Sequence, residues 1–232
     1  MLIRSIIFYF LLYIWTLILG IVCLPYLLLP NSYVRSLANL WIDGILKFLK
    51  FTCGITYEIR NKENVPTHTA IIASKHQSAF ETLLLFRLIN RSIFIHKREL
   101  FFIPIFGLYL KKSNMIAINR NQGTRAMRKM LDEVKQRILN GYSIIIFPEG
   151  TRKKPGDVPD YKTGVAGIYK ESKIEVVPVA VNSGHYWPKN TFIKSPGKII
   201  IKFLKPLPVN LEKLEFLKKI ESNIENETNK II

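Results

Sequence analysis

The chain has 232 residues, with 34 Lys and Arg against 17 Asp and Glu, a net charge of +17. That length suits one α/β domain with an appendage better than two full domains. With 48% hydrophobic residues and a mean hydropathy of +0.14, it points to a protein lying on an anionic membrane surface, nucleic acid being the other common partner of such charge.

In chain order, the first element is apolar. No charged side chain occurs from Ser5 to Val34, and the run 5–24 meets the roughly 20 apolar residues needed to cross a bilayer. A secretory signal would want a shorter apolar centre and a small-residue cleavage site. A core helix this uniformly apolar is hard to house in so small a domain. Pro25, Pro30 and Asn31 end the run. The next stretch reads as an amphipathic helix, with Leu37, Leu40, Trp41, Ile45, Phe48 and Leu49 recurring at three and four. Lys47 and Lys50 are placed to face lipid head groups. A spanning anchor and one that dips into one leaflet both remain open. Residues 1–53 thus form a membrane-anchoring helical segment and 54–232 an α/β domain, held on the cytoplasmic side by its positive charge. Cys23 and Cys53 show no metal spacing, so two free thiols and a reducing compartment are expected.

From residue 54 strands alternate with helices. "ITYEIR" and "TAIIAS" are strands, 80–90 a helix and "SIFIHK" a strand. "FFIPIFGLYLKK" is a broken helix, "NMIAIN" a strand, and 123–140 a helix stopped at Asn140-Gly141. "YSIIIF" is a strand, 163–171 a short helix and "IEVVPVAV" a strand. "TFIKS" and "KIIIKFL" suggest a late hairpin, and 210–230 a polar helix. The pattern predicts a mixed, largely parallel sheet covered by helices, with ligands beyond the carboxyl ends of its strands.

The polar motifs fall at those ends. In "SKHQSAFETLLLFRLIN" a histidine, His76, precedes Glu81 by five residues. On a continuous helix the two would point about 140° apart; a turn at Gln77-Ser78 would let them meet. Ser78 and Glu81 have the spacing of a capping box. Alternatively Glu81 orients the His76 imidazole, leaving its other nitrogen to take a proton from a substrate hydroxyl. The two roles are compatible. No G-x-S-x-G nucleophile motif is present, which favours direct attack by a substrate hydroxyl. In "IIIFPEGTRKK", Glu149-Gly150-Thr151-Arg152 reads either as a charged turn or as a phosphate-binding strand end. Arg120, Lys97 and Lys162 each stand at the end of an apolar strand or the start of a helix; singly each reads as a solvated cation, and with Arg152 the four suggest one phosphate-bearing substrate. His68, His96 and His185 lack metal spacing, so no metal site is expected.

Taken in order, these motifs resemble those of the 1-acylglycerol-3-phosphate acyltransferases, over roughly residues 30–205. The family's H-x4-D matches His76 to Glu81, with glutamate in place of aspartate. Its G-x-x-F-I-x-R strand matches "NMIAINR", which ends in Arg120 and carries Asn114 and Ala117 where the family has Gly and Phe. Its E-G-T-R is met in full by Glu149, Gly150, Thr151 and Arg152, and its apolar strand with a central proline by "IEVVPVAV". The resemblance implies transfer of a fatty acyl group from a thioester donor, acyl-carrier protein or coenzyme A, to the sn-2 hydroxyl of a lysophosphatidic acid at the cytoplasmic membrane, giving phosphatidic acid for phospholipid synthesis. His76 would be the base and Glu81 its partner. Arg120, Glu149, Gly150, Thr151, Arg152, Lys97 and Lys162 would form the phosphate site. No cofactor, metal or nucleic-acid partner is implied. The alternatives are an acyltransferase for glycerol 3-phosphate or another lysolipid, and a non-catalytic membrane-bound protein that binds anionic lipid or nucleic acid.

Overall fold

The computed structural model describes residues 1–119 and 123–231. Strands β1 (Ile55–Arg60), β2 (Ile71–Ser74), β3 (Ser92–Lys97), β4 (Ile116–Ile118), β5 (Ser143–Ile146), β6 (Val176–Val181) and β7 (Gly197–Phe203) form one sheet in the order β1-β7-β6-β2-β5-β3-β4. Strands β2 to β6 run parallel, and β7 returns antiparallel to β6. β1 pairs parallel with β7, Ile55 opposite Gly197. The short apolar central strands are buried on both faces, as parallel strands covered by helices require.

Period-two alternation divides the core into two layers. Ile72, Ile145 and Val177 face one cluster, while Ile71, Ile144 and Val176 face the other. Helices α5 (Gly123–Leu139), α6 (Gly164–Ser172) and α7 (Lys213–Lys230) cover the second side with Met130, Ile168, Phe216 and Ile220. The first side is covered by α3 (Phe80–Leu88) and by α1 (Leu2–Val22) and α2 (Asn31–Phe48), so the N-terminal helices share a core with the sheet. A further helix, α4 (Phe106–Lys112), follows a 3₁₀ turn at Arg98–Phe102 and accounts for the broken pattern read there.

Several contacts dock α1 and α2. Phe8 is fully buried and meets Trp187 edge-on at 5.5 Å between ring centroids. The indole of Trp15 donates to the Trp41 carbonyl at 3.1 Å, and that of Trp41 to the Thr16 hydroxyl at 2.9 Å. The Arg35 guanidinium donates to the carbonyls of Phe86 and Ile89, satisfying orphan C=O groups where α3 ends, and to that of Ser92 at the start of β3. On α2 the buried residues are Val34, Leu37, Ile42 and Ile45, while Leu40 of the predicted stripe is exposed. The α1–α2 approach depends on Gly44, where an added Cβ would stand 2.4 Å from Trp15 Nε1. Gly44→Ala is therefore expected to cost about 1–3 kcal/mol by overpacking, read as a lowered melting temperature in detergent.

The predicted late hairpin does not form. "TFIKS" is irregular because Lys194 is buried and its ammonium donates to the Thr191 and Phe192 carbonyls, which a strand ladder would need. The same ammonium donates to the Tyr9 hydroxyl at 2.8 Å, and the Lys194 N–H to Ser5 Oγ at 2.9 Å, which fastens α1 to this loop. Among the described residues α1 is the one helix long and apolar enough to cross a membrane, with a mean hydropathy of 2.3 and 11% of its apolar window buried.

Candidate active site

Three neighbouring strands, β6, β2 and β5, end at one edge, and the loops beyond them build the site. Past β2 the chain bends over 77–79 and enters α3 at Phe80, so His76 and Glu81 are not on a continuous helix. His76 Nδ1 lies 2.8 Å from Glu81 Oε1. The same oxygen accepts the N–H groups of Gln77 and Ser78, each at 2.7 Å, and Oε2 accepts the Ser183 hydroxyl at 2.7 Å. An oxygen that already takes two amide protons is a carboxylate acceptor, so His76 Nδ1 carries the ring proton and Nε2 is left as the basic nitrogen. Glu81 is fully buried, and the His76 side chain keeps 16% of its surface, enough to meet a substrate.

The capping reading and the histidine reading thus hold together. Glu81 makes its half of the capping box, at the Ser78 N–H. The Ser78 hydroxyl accepts from the Phe80 N–H at 3.0 Å instead of a donor three residues on. A single Glu81 oxygen serves both the turn and the imidazole.

The ring of His76 stacks on Phe147 at 3.8 Å and 14°, and Phe147 on Phe94 at 5.9 Å and 10°. Phe94 lines an apolar cavity of about 670 Å³ between α1, α2, α3 and α4, with Tyr13, Leu37, Leu83, Phe106 and Met115 among its walls. That volume falls in the range of small-molecule sites.

The loop after β5 is tied to the backbone of His76 through Glu149 and Lys153. The Lys153 N–H donates to the His76 carbonyl at 2.8 Å. Gly150 has φ of +65°, the left-handed turn that glycine permits. The Thr151 hydroxyl accepts from Lys189 Nζ at 3.3 Å, which leaves its own O–H to donate, and Lys189 also donates to the Arg152 carbonyl at 3.0 Å. Arg152 is partly exposed.

Glu149 corrects an expectation. It is fully buried and faces inward: Oε1 accepts from Lys75 Nζ and Oε2 from the His76 N–H, both at 2.8 Å. Burial raises its carboxyl above the ordinary range, opposed by those two donors. With both oxygens occupied inside the protein, Glu149 is not placed to bind phosphate. Lys162 is exposed, and its ammonium pairs with the exposed Asp160 carboxylate. Lys97 is exposed at the carboxyl end of β3, on the same edge of the sheet. Arg120 lies outside the described residues, beyond β4. Sequence reasoning missed Lys75, Ser183, Phe147 and Lys189. Among the described residues no group of three or more His, Cys, Asp or Glu is placed to hold a metal ion.

A family model for acyltransferases matches residues 56–182. The chain is 33% identical over 201 residues to the 1-acyl-sn-glycerol-3-phosphate acyltransferase of Pseudomonas aeruginosa, an alignment covering 85% of this chain and 77% of that protein. It is 28% identical to the human 1-acyl-sn-glycerol-3-phosphate acyltransferase beta over 76% of this chain and 65% of that one. The crystal structure of the 1-acyl-sn-glycerophosphate acyltransferase of Thermotoga maritima shares the fold with a TM-score of 0.79 at 24% identity, covering 99% and 96% of the two chains.

Proposed function

Because this chain belongs to the acyltransferase family, we propose that it moves a fatty acyl group from a thioester to the sn-2 hydroxyl of 1-acylglycerol 3-phosphate, giving phosphatidic acid. The observation that carries the reading is the His76–Glu81 pair: Nδ1 is held at 2.8 Å from the carboxylate, and the partly exposed ring stands beside the loop of Thr151 and Arg152.

His76 Nε2 takes the proton of the acceptor hydroxyl as its oxygen attacks the thioester carbonyl. Glu81 stabilises the imidazolium that results. The tetrahedral oxyanion collapses, the C–S bond breaks, and the imidazolium returns its proton to the departing thiolate. The thioester is already activated, so no step calls for a metal or cofactor. Arg152 and the Thr151 hydroxyl hold the phosphate through charge-assisted bonds, with Lys189 and Lys97 on the same rim. The apolar cavity, two stacked rings from the base, suits an acyl chain. The exposed flank of α1 and the charge of +17 suit an anionic bilayer, with the catalytic edge on its cytoplasmic side. The donor is acyl-carrier protein or acyl-coenzyme A; both are anionic, and both suit this charge.

The test is a transfer assay with purified protein, lysophosphatidic acid or lysophosphatidylcholine as acceptor, and each donor in turn. Phosphatidic acid is the expected product, and acylation of lysophosphatidylcholine alone would contradict the reading. Arg152→Ala should raise the KM for lysophosphatidic acid about 10- to 100-fold, the equivalent of about 1.5–3 kcal/mol for bonds to a charged group. An unchanged KM would move the phosphate elsewhere.

A further inference from the structure

A buried charged network lies behind the histidine, and the chemistry above makes no use of most of it. The Lys75 side chain is 3% exposed. Its ammonium donates to Glu149 Oε1 and to both carboxylate oxygens of Glu225 on α7, each at 2.8 Å. Glu225 Oε1 also accepts the Tyr161 hydroxyl at 2.9 Å. The other oxygen of Glu149 takes the backbone N–H of His76. We propose that Lys75 and Glu225 are positioning residues for His76: the α7 carboxylate holds the ammonium, the ammonium holds Glu149, and Glu149 holds the histidine's backbone. The C-terminal helix is then part of the catalytic framework.

Several observations support this over a role in stability alone. A buried charged cluster adds little net stability over apolar side chains of the same volume. These groups come from positions 75, 149 and 225, yet they converge on the one backbone N–H beside the base. The peptide there is fixed at three points. Lys75 N–H donates to the Val179 carbonyl at 2.9 Å, His76 N–H to Glu149, and the His76 carbonyl accepts from Lys153. Two of the three belong to the loop that Lys75 secures through Glu149. Burial and the neighbouring carboxylates push the Tyr161 hydroxyl up, so it remains a donor to Glu225.

The proposal rests on His76 being the base, so the experiment includes His76→Ala. The full-length protein is purified with Glu225→Gln, which keeps the side chain's size, and with Lys75→Met. Rates are measured with lysophosphatidic acid and a saturating donor. Displacing the base by a fraction of an ångström is expected to lower kcat about tenfold in Glu225→Gln and about a hundredfold in Lys75→Met. The KM for each substrate should stay within about twofold. A role in folding alone would lower the melting temperature and leave kcat of the folded protein within about twofold of the parent, which would overturn the proposal. Should Lys75→Met fail to fold, Glu225→Gln decides. An inactive His76→Ala beside a fully active Glu225→Gln overturns this proposal and leaves the proposed function standing. An active His76→Ala overturns both.

Discussion

His76→Ala is expected to lower kcat for phosphatidic acid formation by about 10²–10⁴-fold, the usual contribution of a positioned general base, while the protein stays folded and bound to vesicles. Among the described residues the ring has one side-chain hydrogen bond, to Glu81, and one stacking partner, Phe147. Its removal uncovers one aromatic face and leaves the core clusters intact, since His76 belongs to neither. The bonds that fix the chain at this point run through the backbone of residue 76, which alanine retains. Initial rates, a melting curve and vesicle flotation on one preparation separate the two effects. A rate within threefold of the parent would remove His76 from the chemistry.

Changes at Glu81 should damage fold and rate together. This carboxylate accepts four bonds, from the His76 ring, the Gln77 and Ser78 amides and the Ser183 hydroxyl, and it is fully buried. Glu81→Ala leaves those donors unpaired away from water, at about 3 kcal/mol or more. It also frees the imidazole to turn and to adopt the other tautomer. Glu81→Asp is the sharper test. It keeps the charge and restores the aspartate of the H-x4-D pattern, but withdraws the oxygens by one methylene. The turn over 77–79 fits the longer side chain, so aspartate should lose either the amides or Ser183. About a tenfold loss of kcat with unchanged KM values is expected. Full activity in Glu81→Asp would mean that the turn adapts and the extra methylene does nothing here.

What the sequence disclosed was local and periodic. The alternation of apolar strands and helices located the sheet, and α1, α3, α5, α6 and α7 fell where the pattern put them. His76 and Glu81 were legible because five residues with a turn between them are enough to state the contact. The rest of the site is made across long sequence distances. Lys75 meets Glu225 from 150 positions away, and Ser183 meets Glu81 from 102. No spacing rule joins such pairs. Glu149 was assigned to phosphate because a motif gives residue order and not the direction a carboxylate faces. The missing hairpin has a similar cause: "TFIKS" alternates like a strand, and nothing local reveals that the Lys194 ammonium takes the carbonyls its neighbours would have offered. On α2, Leu40 fits the apolar period but lies on the face that the sheet leaves uncovered.

The most direct measurement is ¹⁵N NMR of the histidine rings in the purified protein, with His76 assigned by comparison with His76→Ala. A base that takes the acceptor's proton at Nε2 requires a neutral ring protonated at Nδ1, held there by Glu81, and Glu81→Ala should lose that preference. A neutral His76 ring protonated at Nε2 would contradict the pairing and the proposed chemistry with it.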